Sequence, residues 1–143
     1  MLAYGRAGED FSEHYAIAEA FHLRDVARKR AANNRTKQSD SAAAFGEAAR
    51  AFHRIAEKSD MGDKKVYFRT AADCYVGAKD SFNAAHCYEL AERYTDAAKH
   101  HRLAGSFDDA VRVVKTFGTV EPSVAQNIID VSALFYVKGG KFA

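Results

Sequence analysis

"CYVGAKDSFNAA" (residues 74–85), "CYELAERYTDAA" (87–98) and "HRLAGSFDDAV" (101–111) align one beneath another, and that alignment decides the fold. Cys74 and Tyr75 return thirteen residues later as Cys87 and Tyr88, and Ala78 returns as Ala91 and Ala104. Phe82 is matched with Tyr94 and Phe107. A short module repeated in register predicts stacked helices, each too small to bury an apolar face alone and stable only against its neighbours. It does not predict a catalytic core.

Working outward, turns expected at Asp80-Ser81, Arg93 to Thr95 and Gly105-Ser106 limit these helices to about ten residues each. The alanines at 78, 91 and 104 are expected to let neighbouring helices approach closely. A third helix precedes them, with Tyr67, Ala71, Cys74, Tyr75 and Ala78 on its inner face. Before it lies the clearest apolar stripe in the chain, Ala44, Phe45, Ala48, Ala51, Phe52 and Ile55, on a second helix ending near Lys58. Asp40 or Ser41 is expected to cap that helix. Ser59 to Asp63 is expected to turn the chain, with Gly62 at positive φ and the Asp63 carboxylate on the next free amides.

The first helix is expected from Asp10 to Ala32, burying Phe11, Tyr15, Ala18, Phe21 and Val26 and leaving Glu13, Glu19, Arg24 and Arg28 in water. Asn33 to Ser39 reads as a loop. Towards the C-terminus, Phe107, Ala110, Val111, Val114 and Phe117 mark a sixth helix that ends at Gly118-Thr119. Pro122, whose missing amide costs nothing at a first helical position, starts a seventh with Ala125, Ile128, Ile129, Ser132 and Phe135 on one side. The fold class is thus all-α, about seven antiparallel helices in one helical-repeat domain over residues 1–143.

Composition agrees. The 143 residues are 48% hydrophobic and 28% charged, with one proline, as suits a helical domain with a real core. A net charge of +2 gives no whole-domain attraction to nucleic acid or anionic lipid, so an electrostatic partner needs a local patch. No apolar run approaches the roughly 20 residues that cross a bilayer, and no secretory apolar segment is present. Cys74 and Cys87 occupy matching repeat positions beside aromatic residues and read as reduced core thiols. An intracellular protein, cytoplasmic or nuclear, is expected, and the sequon Asn34-Arg35-Thr36 is read as coincidence.

Both ends read as interrupted modules. "AYGRAGEDF" (3–11) repeats the tyrosine, alanine, glycine and aromatic order, and "FYVKGGKFA" (135–143) begins a turn. A segment of a longer superhelix is expected, with self-association where end faces are uncovered. The paired small and aromatic positions resemble tetratricopeptide-like (TPR-like) repeats, although the units run near thirteen residues rather than the family's roughly 34. More narrowly, residues 51–115, from "AFHRIAEK" to "DDAVRVVK", and "IIDVSALFYVKGGKF" (128–142) resemble the helical-repeat region of large fungal UvrD-like helicase proteins related to the TPR and ankyrin repeat-containing protein. The resemblance implies an α-solenoid scaffold whose parent carries an ATP-dependent helicase module. It carries no catalytic residue over, because no phosphate-binding loop is present; Gly139-Gly140-Lys141-Phe142 lacks the upstream glycine and the hydroxyl for magnesium.

Candidate sites follow from residues that stacking leaves over. Tyr88, Arg93, His100 and Arg102 form the expected partner-binding set, aromatic and arginine side chains being those that gain most on desolvation. Arg28, Lys29, Arg30, Arg35 and Lys37, with no acid among them, form a patch for nucleic acid or an acidic partner, or else a solvated helix end that complements free carbonyls. His86 beside Cys87, and His100-His101, give no zinc-ligand spacing, so neither metal nor cofactor is expected. Glu89, Glu92 and Arg93 read as turn residues forming weak ion pairs. No nucleophile elbow or His-Glu-x-x-His pair occurs. The expected function is a non-catalytic protein–protein interaction scaffold that meets a peptide or another domain of its own polypeptide. The alternative is a nucleic-acid-facing accessory region of a helicase.

Overall fold

The computed structural model describes residues 2–33 and 35–138. All regular structure among the described residues is helical: α1 (Leu2–Ala32), α2 (Gln38–Lys58), α3 (Met61–Gly77), α4 (Ser81–Leu90), α5 (Tyr94–Leu103), α6 (Phe107–Thr116) and α7 (Pro122–Lys138). They pack in chain order, each on the next, and α7 also packs on α5.

The thirteen-residue period is written into the backbone. Lys79, Glu92 and Gly105 sit thirteen apart at φ of 63°, 59° and 80°. Each ends a helix in the same way. The amide after the left-handed residue donates five residues back, Asp80 to Tyr75, Arg93 to Tyr88 and Ser106 to His101, at 2.9, 2.8 and 2.8 Å. The left-handed residue itself donates to Val76, Glu89 or Arg102. These paired bonds form a Schellman turn, which satisfies carbonyls that a helix end leaves free. After the first of them the Asp80 carboxylate accepts the Asn83 amide at 3.1 Å, capping α4.

The register corrects two expectations. Ser81, Tyr94 and Phe107 open α4, α5 and α6, so Ser81 is the counterpart of the two rings. Phe82 lies one place later and is 54% exposed, edge-on to His86 at 4.8 Å. Ala78, Ala91 and Ala104 are the helix C-caps, and Ala104 is exposed. Ala91 is buried in the core and Ala78 lies against Gly46 of α2, and mid-helix alanines in the same period add to this close approach, since Ala71, Ala84, Ala97 and Ala110 have no exposed surface. Methyl groups there bring helix axes together where a larger side chain would hold them apart.

Two cores result. One joins Phe52, Ile55, Phe68, Cys74, Tyr75, Cys87 and Tyr88 with alanines from α1 to α5. The other joins Ala98, Val113, Val120 and Ile128 with Tyr94, Phe117 and Val124 around it. Ala97 belongs to the first and Ala98 to the second, because adjacent helical residues point about 100° apart and α5 is covered on two sides. Tyr94 and Phe117 stack at 3.6 Å between ring centroids, closing α6 onto α5.

α1 departs most from expectation. It extends through residues 3–11, which are helix rather than a turn. Its seam is Ile17, Ala20, Leu23 and Ala27, with Ala20 and Ala27 fully buried against α2, while Tyr15 is 77% exposed and Ala18 is exposed. The two alanines let α2 approach closely there, and beside them the Phe21 ring packs edge-on to Phe52 of α2 at 5.1 Å. Phe11 lies outside the residues whose side chains are described. Arg24 is partly buried, its guanidinium 4.8 Å from the Phe21 ring and 5.8 Å from Phe52. The cation stacks on the rings it was expected to leave for water.

Smaller corrections concern helix ends. α2 begins at Gln38 after Lys37, ahead of Asp40 and Ser41, and no side chain caps it. α3 begins at Met61, so Gly62 is helical and Asp60, with extended backbone and no side-chain bond, holds the cap position. Two residues suffice for that turn because the Ser59 hydroxyl donates to Ile55 O at 2.7 Å. On α7, Ala125, Ile128 and Ser132 face inward as expected, whereas Ile129 and Phe135 are 46% and 41% exposed. Asn34 and residues 139–143, including Gly139 to Phe142, lie outside the described residues.

Candidate functional site

The four expected partner-binding residues divide between surface and interior. Tyr88 is buried; its hydroxyl donates to Asp73 at 2.6 Å and its ring stacks on His100 at 5.4 Å. Burial, and then the bond to Asp73, push its phenol up from the ordinary range. Arg93 is exposed and paired with Asp96 at 3.3 Å. His100 and Arg102 share one groove with Lys99, Leu103, Ser123, Val124 and Asn127, between α5 and the start of α7, with a volume of about 250 Å³.

That groove is electrostatically one-sided. No acid lines it. Lys99 and Arg102 make no ion pair among the described residues; of the acids nearby, Asp96 is paired with Arg93 and Glu92 with Lys65, and Glu121, at the groove's edge, accepts from the Ser123 hydroxyl at 2.8 Å. Burial lowers the pKa of His100, so it adds no charge at neutral pH. Leu103, 58% exposed, and half-buried Val124 supply an aliphatic wall. Arg93 lines a neighbouring groove with Tyr94, Thr95, Asp96, Thr119 and Glu121, and Lys99 stands at the edge of both. Sequence reading named His100 and Arg102 but missed Lys99 and the α7 residues. Lys99 stands three places before Arg102, the spacing of neighbours on a helix face, which was a usable signal. Nothing local to Ser123, Val124 or Asn127 shows that α7 returns to α5.

The basic run is placed as a single exposed feature. Arg28, Lys29 and Arg30 lie in the last turns of α1, Arg35 donates its amide to the Asn33 side chain at 2.9 Å, and Lys37 precedes α2. None of the five forms an ion pair among the described residues.

Two further polar clusters run from the interior to the surface. Glu89 joins α4 to its neighbours: His101 Nε2 lies 2.7 Å from its Oε2, and Arg112 donates to it at 2.9 Å. Glu89 is therefore the hub of a largely buried network and not the weak turn pair expected of it. His101 takes the repeat position of Tyr75 and Tyr88, and its Nδ1 is buried without a hydrogen-bond partner. A proton on Nε2, facing the carboxylate, fits that surrounding. The adjacent histidines diverge, His100 towards Tyr88 and His101 towards His86 and Glu89. No group of three potential metal ligands occurs among the described residues.

The second cluster resembles a nucleophilic triad in its order of groups. Cys87 Sγ lies 3.8 Å from His53 Nδ1, and His53 Nε2 lies 3.1 Å from Glu57. Burial decides against that chemistry. It pushes the Cys87 thiol up to about 12 and the Cys74 thiol up to about 11, so both keep their protons near neutrality. His53 Nδ1 also meets the Tyr75 hydroxyl at 3.1 Å. Both cysteines are free and buried. No described helix is long and apolar enough to cross a membrane. The chain matches no protein-family model, no curated protein and no solved structure.

Proposed function

We propose that this chain is a non-catalytic protein–protein interaction scaffold, a TPR-like α-solenoid of antiparallel helices within a larger polypeptide. One observation carries the reading: the same Schellman turn recurs at Lys79, Glu92 and Gly105, so successive helices are placed by one repeated backbone device. A stack built this way grows by addition and offers an extended surface. Several of its titratable groups pack or bond between helices, as Glu89, His101 and the two buried thiols do, which fits a structural role. The sequence's resemblance to the helical-repeat region of fungal UvrD-like helicase proteins would put any motor elsewhere in the parent polypeptide.

The test is selection of binders from a random peptide library against the whole chain, followed by amide chemical-shift mapping. Perturbations clustered on one face of α5 to α7 support the scaffold. Failure of every selected peptide to give a saturable, localised response removes it.

A second reading has its own observation, the five exposed cations from Arg28 to Lys37 without ion-pair partners. It makes the chain a nucleic-acid-facing accessory. Single-stranded DNA should then bind with an affinity that falls with salt by a log–log slope of about −0.7 per neutralised phosphate. No binding at low salt eliminates this alternative.

A further inference from the structure

Taking the scaffold reading as its basis, we propose that the α5–α7 groove binds an acidic peptide segment, pairing a carboxylate with Lys99 and Arg102 and seating an adjacent aliphatic side chain against Leu103 and Val124.

Charge complementarity names the partner. Among the described residues the groove is lined by two cations without ion pairs and by no acid; of the carboxylates beside it, Asp96 and Glu92 are paired with Arg93 and Lys65, and Glu121 accepts only from the Ser123 hydroxyl. An unpaired cation pair in a partly desolvated groove attracts an anion more strongly than one in open water. The start of α7 adds to the same polarity. Pro122 has no amide hydrogen, and the first helical bond of α7 runs from the Ala125 amide to Glu121 O at 2.9 Å. The amides of Ser123 and Val124 precede it and, as in any helix, have no partner within the helix. Both residues line the groove.

Shape and surface favour a peptide over nucleic acid. The apolar wall is aliphatic, Leu103 and Val124, whereas bases need an aromatic face. The one aromatic ring in the groove, His100, is stacked on Tyr88. At about 250 Å³ the groove holds one or two side chains, which suits an anchor flanked by a carboxylate and not a tracked phosphate backbone.

The experiment measures fluorescence anisotropy of three labelled probes of equal length with the whole chain: alternating glutamate–leucine, alternating lysine–leucine, and oligothymidylate. The glutamate–leucine peptide should bind and the lysine–leucine peptide should not. Lys99→Glu with Arg102→Glu should weaken binding at least about tenfold, and the same charge reversal at exposed Lys29 on α1, Lys29→Glu, should leave it unchanged. Lys99 is exposed and Arg102 partly so, and circular dichroism verifies that the variant keeps its fold. Binding that survives the double substitution overturns the assignment, as does oligothymidylate binding lost with it while the glutamate–leucine peptide fails. If library-selected peptides bind another face and the glutamate–leucine peptide does not, this proposal falls and the scaffold stands. If neither binds, both fall.

Discussion

Lys79→Gly should stabilise the protein and Gly105→Ala should destabilise it, although ordinary helix propensity predicts that adding a glycine weakens a helical chain. Lys79 holds φ of 63°, where its Cβ crowds the following carbonyl. That crowding costs about 1–2 kcal/mol in the left-handed region. Glycine removes the strain but has greater freedom in the unfolded chain, an offset of about 0.5–1 kcal/mol, leaving a net gain of about 0.5–1 kcal/mol. Gly105 is the mirror case at φ of 80°, and a Cβ added there meets nothing within 4 Å. Its replacement by alanine therefore reports backbone strain alone, about 0.5–1 kcal/mol of destabilisation. Glu92→Gly serves as an internal control: the same gain is set against loss of an exposed ion pair with Lys65 worth up to about 1 kcal/mol, so the net change is near zero. Thermal and urea unfolding followed by far-ultraviolet circular dichroism would resolve these as shifts of about 2–4 °C in Tm. A lower Tm for Lys79→Gly, or an unchanged Tm for Gly105→Ala, refutes the repeated left-handed turn and with it the thirteen-residue backbone period.

Gly77→Ala should destabilise by about 1–3 kcal/mol, because the added Cβ falls 2.7 Å from Phe45 Cγ; Phe45→Leu in the same background should recover part of the loss in a urea titration. Glu89→Ala should cost about 2 kcal/mol by leaving His101 buried without a partner at either ring nitrogen, and His101→Phe should offset it, so that the two substitutions are not additive by denaturant unfolding. Both thiols should react with Ellman's reagent at least about a hundredfold more slowly in the native than in the unfolded chain near pH 8, since burial raises their pKa values from 9.0 to about 11 and about 12. The protonated thiols favour the folded state, so their contribution is complete below pH 9 and is lost as pH rises towards 11–12; Cys74→Ser with Cys87→Ser should flatten that alkaline fall in stability.

The site was legible in part. Arg102 and His100 were marked by residue type, and both line the groove. Tyr88 carried the same mark but spends its hydroxyl on Asp73 and its ring on His100, which an aromatic letter alone does not disclose. Arg93 is surface, yet Asp96 three residues on matches its charge. Glu89 was indistinguishable from any turn carboxylate until Arg112, twenty-three residues away, reached it.

What the amino-acid order determined by itself was local: helices everywhere, turns near 80, 93 and 105, and a period of thirteen. Those features depend on backbone dihedral preferences and hydrogen bonds spanning at most six residues, so neighbours in the chain suffice to specify them. Tertiary structure decided which faces are buried. α1 hides Ala20 and Ala27 and exposes Tyr15 because only the side that meets α2 is covered, and α5 buries Ala97 and Ala98 in different cores because neighbours clasp it on two sides. The groove at Lys99 and Arg102 belongs to that second kind of fact: it exists because α7 folds back on α5.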